Sequence, residues 1–148
     1  YSQPEHGRTA KTTTGIRYIP NVNYFGEDSF TYTIKNSKDE TTTATVYITV
    51  KSVNDAPKAN KDYYTTIEDV GALIDVLAND TDVDGETLTI VSLLGLPDYG
   101  IITIQDGKVL YTPNEGYTGM DYFTYRCQDS NGASDTALVT ISVLPKQE

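Results

Sequence analysis

The sequence predicts an all-β chain: a Greek-key, seven-stranded β-sandwich, present in tandem with its first copy incomplete. Three observations carry this. The 148 residues include 12 Tyr, 3 Phe and no Trp, with abundant Thr, a bias towards side chains that suit a pleated, half-buried surface. Residues 4–50 slide onto 97–143 without a gap, with 17 identities in 47 positions, which marks an internal repeat with a period of 93. Short runs of alternating apolar and polar residues, bounded by turn dipeptides, fill the rest.

The repeated core reads Tyr-x-Pro-Asn-x-x-Tyr-x-Gly-x-Asp-x-Phe-Thr-Tyr, a polar turn, then Thr-Ala-x-Val-x-Ile-x-Val. In the first copy Phe30, Tyr32 and Ile34 alternate along one strand. Ala44, Val46, Ile48 and Val50 alternate along the next, opposite Thr45, Tyr47 and Thr49. Their partners Phe123, Tyr125 and Cys127, and Ala137, Val139, Ile141 and Val143, repeat the pattern. The complete copy shows about seven strands, near 62–68, 72–78, 87–94, 100–105, 108–112, 121–128 and 134–143. Asp84-Gly85, Pro97-Asp98, Asp106-Gly107 and Asn131-Gly132 punctuate them. Such a count in so short a span predicts an immunoglobulin-like sandwich, and no stretch carries a helical period.

The organisation expected is therefore 1–50 as the C-terminal half of one domain, 51–57 as a linker, and 58–148 as a complete domain. The half-domain lacks its N-terminal strands, which leaves sheet edges and core surface open and predicts instability or a homo-oligomer formed through it. The opening Tyr1-Ser2-Gln3-Pro4-Glu5 reads as cut from a longer chain, with no signal peptide in view.

Net charge is −10; residues 1–57 balance six acids with six bases, so the excess lies in 58–148, with fifteen acids and five bases. That surface repels phosphate backbones and argues against nucleic acid. No apolar run approaches the roughly 20 residues of a membrane span. One Cys and one His exclude a disulfide framework and a cysteine-based zinc cluster. Cys127 aligns with Ile34 and reads as a small core residue, because apolar burial raises a thiol's pKa. His6 aligns with Tyr99 in a turn before Gly, a poor setting for catalysis.

The strongest chemical signal is Asn79-Asp80-Thr81-Asp82-Val83-Asp84-Gly85-Glu86. Alternate carboxylates in a turn offer hard oxygens to one calcium ion; the competing reading is a solvated acidic turn held by Asx hydrogen bonds. Asp80, Asp82, Asp84 and Gly85 match the opening of an EF-hand loop, but Val91 falls where its last ligand must be Glu, so it is not one. The loop joins the second and third strands of the complete domain. The last hairpin, with Asp129 and Asn131, and the linker bearing Asn54 and Asp55 come to the same end, so oxygen ligands are expected to converge at the junction between the domains.

At this point the sequence resembles the cadherin-like repeats strung along bacterial surface proteins. Val46-Tyr47-Ile48-Thr49-Val50-Lys51-Ser52-Val53-Asn54-Asp55-Ala56-Pro57 resembles the cadherin strand and calcium linker. Asp80 and Asp82 resemble its Asp-x-Asp pair, Glu68 its first-strand glutamate and Asp129 the aspartate closing its sixth strand, with Glu27-Asp28 roughly in place of its Leu-Asp-Arg-Glu segment. The resemblance implies calcium, one or two ions, on Asn54, Asp55, Asp80, Asp82, Asp84 and Asp129. It also implies an extracellular or cell-surface location and neighbouring repeats of the same polypeptide as partners.

No catalytic constellation appears, so the expected function is a non-catalytic, calcium-stabilised spacer or stalk of an adhesin-like protein. The alternative is a carbohydrate- or protein-binding module, with Tyr63, Tyr64, Tyr99 and Tyr122 as a stacking platform for surface glycans.

Overall fold

The computed structural model describes residues 1–147. Among them every regular element is a strand, and the chain divides into two compact units, Tyr1–Val53 and Asn54–Glu148.

The second unit holds seven strands: β5 (Asp62–Ile67), β6 (Ala72–Ile74), β7 (Thr89–Leu94), β8 (Gly100–Gln105), β9 (Lys108–Pro113), β10 (Gly119–Gln128) and β11 (Ser134–Leu144). They form two sheets, ordered β5-β11-β10-β7 and β6-β9-β8. All pairs are antiparallel except β5, which runs parallel to β11. The alternation read from the sequence decides what lies between the sheets. Phe123, Tyr125, Cys127, Ala137, Val139, Ile141 and Val143 are buried against Ala72, Ile74, Val76, Val109 and Tyr111. Cys127 is fully buried and its thiol is pushed up by that burial.

The second of these strands is shorter than expected. It stops at Ile74, because the chain then turns, with the Ala78 N–H donating to the Asp75 carbonyl (3.3 Å) and the Asp80 N–H to that of Leu77 (3.1 Å). Val76 is nevertheless fully buried in that turn.

The first unit is two antiparallel hairpins, β1 (Gly7–Lys11) with β2 (Ile16–Pro20) and β3 (Gly26–Lys35) with β4 (Thr41–Val50). Its pairing copies the second unit at the 93-residue offset: Gly7 faces Pro20 as Gly100 faces Pro113, and Gly26 faces Val50 as Gly119 faces Val143.

The repeated residues build one corner twice. In the second unit Asp121 accepts from the Tyr111 hydroxyl (2.8 Å) and from the N–H groups of Asp98 (3.0 Å), Tyr99 (3.1 Å) and Tyr122 (3.0 Å). In the first, Asp28 accepts from Tyr18 (2.8 Å), Glu5 (3.2 Å), His6 (3.1 Å) and Ser29 (2.8 Å). A buried carboxylate thus gathers three main-chain donors and a tyrosine hydroxyl in each unit. Burial and the Asp28 hydrogen bond push the Tyr18 hydroxyl up to about 12. His6 stacks on Tyr24 at 4.3 Å as Tyr99 stacks on Tyr117 at 4.4 Å, so His6 serves as a flat ring. The glycine beside each tyrosine is needed for space: a Cβ at Gly100 would sit 2.5 Å from the Tyr111 ring, and one at Gly7 2.7 Å from that of Tyr18.

Candidate metal centre

Three segments of the second unit meet at one end of its sandwich: the loop 75–88 between β6 and β7, the turn between β10 and β11, and the stretch that begins at Asn54. Lys58 and Thr81 exchange main-chain hydrogen bonds (2.7 and 3.1 Å), which ties the last of these to the loop. Asp82 opens an Asx turn by accepting from the Asp84 N–H (2.8 Å), and its carbonyl accepts from Gly85 (3.1 Å). Gly85 has φ +74, a left-handed conformation that glycine adopts at little cost. The chain reverses there and returns Glu86 towards Asp82.

Asp82, Glu86 and Asp129 each present a carboxylate oxygen within 4.8 Å of the others. Asp129 is 5% exposed. It accepts from Asn54 Nδ2 (2.9 Å) and from the N–H groups of Asn131 (2.9 Å) and Ala133 (2.8 Å). The Asn54 hydrogen bond holds it below the usual carboxylate range, against the desolvation that opposes it. Asn131 Nδ2 reaches both Asn54 Oδ1 (2.8 Å) and Glu86 Oε1, and the Ser130 N–H donates to Glu86 Oε2 (3.0 Å). Asp82 Oδ2 is buried and has no hydrogen-bond partner among the described residues. No basic side chain among them forms an ion pair with any of the three acids.

The residues expected as ligands divide into three groups. Asp82 and Asp129 meet, with Asn54 hydrogen-bonded to the latter. Asp55 and Asp84 lie beside them, joined by the Asp55 N–H donating to Asp84 Oδ2 (2.7 Å). Asp80 is turned inwards: the Tyr125 hydroxyl lies 2.8 and 2.9 Å from its two oxygens, and the Asn60 N–H donates to it (2.8 Å). It is not in the three-acid group, because the turn that ends at Asp80 breaks the extended alternation expected to align it with Asp82. Its charge, after burial itself, raises the nearby Asp62 carboxyl to about 6, and Asp62 Oδ2 is also buried without a partner.

Two further acids that the resemblance aligns lie away from this group. Glu68 follows β5 where that strand ends against Leu144, the end of β11 opposite the Asp129 turn, and it accepts there from the Lys146 N–H (3.4 Å). Asp28 is committed to the corner of the first unit. Glu86, which closes the acidic run, was not among the expected ligands, yet its carboxylate meets those of Asp82 and Asp129. Its signal was the Asp-Gly pair ahead of it, which reverses the chain.

The chain belongs to the bacterial Ig domain family, whose model matches residues 1–49 and again 54–142. Integrin beta-like protein A of Dictyostelium discoideum is 32% identical over 157 residues, which cover 90% of this chain and 8% of that protein. The chain thus spans less than a tenth of the length of that curated relative. Among solved structures, human CDH23 EC21-23 is 18% identical with a TM-score of 0.58, over 95% of this chain and 55% of that one. Protocadherin Gamma B2 extracellular cadherin domains 1-5 is 16% identical with a TM-score of 0.54, over 100% and 32%. These last two likenesses are likenesses of fold: an all-β, cadherin- and immunoglobulin-like sandwich.

Proposed function

We propose that the chain is a non-catalytic structural module of an extracellular or cell-surface protein, and that calcium closes the loop end of its second unit. The observation behind this reading is the meeting of Asp82, Glu86 and Asp129, one of whose buried oxygens lacks a donor among the described residues. Three carboxylates so close repel one another, and neither a basic side chain nor a donor to Asp82 Oδ2 offsets it. The donor set is oxygen alone, with no imidazole or thiolate, which favours a hard cation over zinc. Calcium takes about six to eight oxygens. The three acids supply up to six, and Asn54, whose amide lies on Asp129, adds a neutral one when that amide rotates. Asp55 and Asp84 stand next in line; Asp80 is left to Tyr125.

In this reading the ion neutralises the cluster and ties the linker stretch at Asn54 to two loops. A spacer built of such repeats then stiffens with calcium. Affinity is expected on the order of 10⁻⁴–10⁻³ M, the range of extracellular modules. At calcium a hundredfold above the dissociation constant the fold gains about 2.7 kcal/mol. Calorimetric titration, with melting followed with and without chelator, tests this. Asp82→Asn and Glu86→Gln should abolish the melting shift and Asp80→Asn should keep it. No heat and no shift at millimolar calcium would overturn the reading.

A second reading, glycan binding, has one observation in its favour. Tyr63 of β5 and Tyr122 of β10 both face Thr140 of β11, so they share one sheet face two strands apart, about 9–10 Å. They are 76% and 48% exposed. Tyr99, by contrast, is engaged on Tyr117. A platform of this kind should give saturable binding on a polysaccharide array, lost on Tyr63→Ala or Tyr122→Ala; a pure spacer gives none.

A further inference from the structure

An outer strand of a sheet presents a row of unpaired N–H and C=O groups, which folded proteins blunt with charges, bulges or brevity. Three of the four outer strands of the second unit carry such a device. β5 holds an acid, Asp62, at a position that faces the buried Val139. β6 is three residues long, and β7 shifts register opposite Arg126 and Cys127. β8 has none of these. Its six residues, Gly-Ile-Ile-Thr-Ile-Gln, include no charge and no proline, and its pairing with β9 runs unbroken from Gly100–Pro113 to Gln105–Lys108. Its other side has no strand partner among the described residues. The repeat shows that the fold does not demand so bare an edge. In β1 the positions of Ile101 and Ile104 are held by Arg8 and Lys11.

The turn after β8 decides which of its groups face outwards. Asp106 and Gly107 have φ +52 and +73, the type I′ hairpin in which the flanking residues, Gln105 and Lys108, exchange main-chain hydrogen bonds. Alternation then gives Thr103 and Ile101 to β9, and turns the N–H and C=O of Gly100, Ile102 and Ile104 to the open side. Pro113, which has no N–H to give, sits opposite Gly100, as this assignment requires. Ile104 faces the fully buried Val109, on the side that points into the sandwich, yet it is 47% exposed. We propose that β8 docks against β8 of a second copy of the chain, antiparallel, about a two-fold axis at Thr103. That register sets Ile102 opposite Ile104 twice, joins their outward N–H and C=O groups, and covers the open side of Ile104. Charge favours a second copy at this place. The chain carries −10, but Tyr99 to Gln105 holds no carboxylate, so two copies meet there with little repulsion. Six residues of edge run about 20 Å, which is small beside a standard interface, so the dimer is weak and concentration-dependent. Each copy has one β8, so association through it stops at two. The proposal stands apart from the metal reading, since none of the carboxylates of that site lies on β8.

Sedimentation of the 148-residue chain with chelator present reads the association, and amide hydrogen exchange locates it. The amides of Gly100, Ile102 and Ile104 should exchange about tenfold more slowly as concentration is raised through the dimerisation midpoint, with β10 and β11 unchanged. Thr103→Lys sets two ammonium groups face to face at the axis. Thr103 is exposed, so this variant should keep the parent's melting temperature and lose the concentration-dependent protection of β8. Thr103→Cys should form a disulfide-linked dimer under mild oxidation, because facing residues of a non-hydrogen-bonded pair lie about 4.5 Å apart at Cα, within reach of that bond. Ile101→Cys, also exposed but set opposite Gln105 of the second copy, should not. Cys127 is buried in the parent and both variants and takes no part. The proposal falls if the β8 amides show no dependence on concentration up to the solubility limit, or if Thr103→Lys leaves that dependence intact. It falls too if the two cysteine variants crosslink alike or neither does.

Discussion

The two copies of the Tyr–Asp corner have the same bonds in different surroundings. Around Asp121 the tyrosine, Tyr111, is fully buried between sheets of three and four strands; around Asp28 the tyrosine, Tyr18, is partly exposed and the hairpins have no further strand partner among the described residues. The hydrogen bonds nevertheless agree to within about 0.2 Å. Local geometry is therefore dictated by the short motif, whereas burial is decided by strands about forty residues away. The same side chain is therefore expected to stabilise the two units by different amounts.

The largest expected effect tests this directly. Asp121→Ala leaves the buried Tyr111 hydroxyl and three part-buried main-chain N–H groups without a partner, and should cost the second unit about 3–5 kcal/mol. Asp28→Ala opens an equivalent set to solvent, which rehydrates it, and should cost the first unit about 1–2 kcal/mol. Hydrogen exchange resolved by unit reads both, and equal losses would break the comparison. Next comes the packing pair. Ile141→Ala should cost about 3–4 kcal/mol by cavity formation, against about 1 kcal/mol for Ile48→Ala, whose surroundings leave little cavity to form. Denaturant midpoints followed by unit-specific probes check the ratio.

The last effect belongs to a group with no counterpart in the first unit. Asp62 sits at the start of β5, and its folded carboxyl titrates at about 6 because of burial and the Asp80 charge, against about 4 when unfolded. Between those values the folded state binds the extra proton, so the stability of the second unit should fall as pH rises from about 4 to about 6. Asp62→Asn should flatten that slope and stabilise this unit at pH 7 by about 1–2 kcal/mol, discounted for the part of the group that water reaches. The first unit should show no matching slope from this source. Thermal melts across the pH range, for parent and variant, sharpen the contrast.

Much of this was legible in the sequence, and the reasons are physical. Strand positions follow from period-two alternation, because one face of each strand packs and the other is wet. The repeat was legible as identities. What Asp28 and Asp121 do was not, since their partners are main-chain N–H groups that carry no sequence mark. The metal candidate was half legible. Counting alternate acids from Asp80 assumes an extended loop, but the chain turns at 75–80 and reverses at Gly85. Asp80 is lost to Tyr125 and Glu86 is brought in.

The parallel pairing of β5 with β11 bears on how the second unit carries load. The chain enters this unit through the start of β5, where Asp62 faces Val139, and leaves it from the end of β11, where Leu144 faces Ile67. Tension pulling those two points apart slides one strand along the other, so all six facing pairs from Asp62–Val139 to Ile67–Leu144 resist in shear together. A hairpin pulled at its open end would instead surrender its bonds one at a time. A polypeptide strung from units of this kind resists extension through its terminal strands first, before any of its core is disturbed.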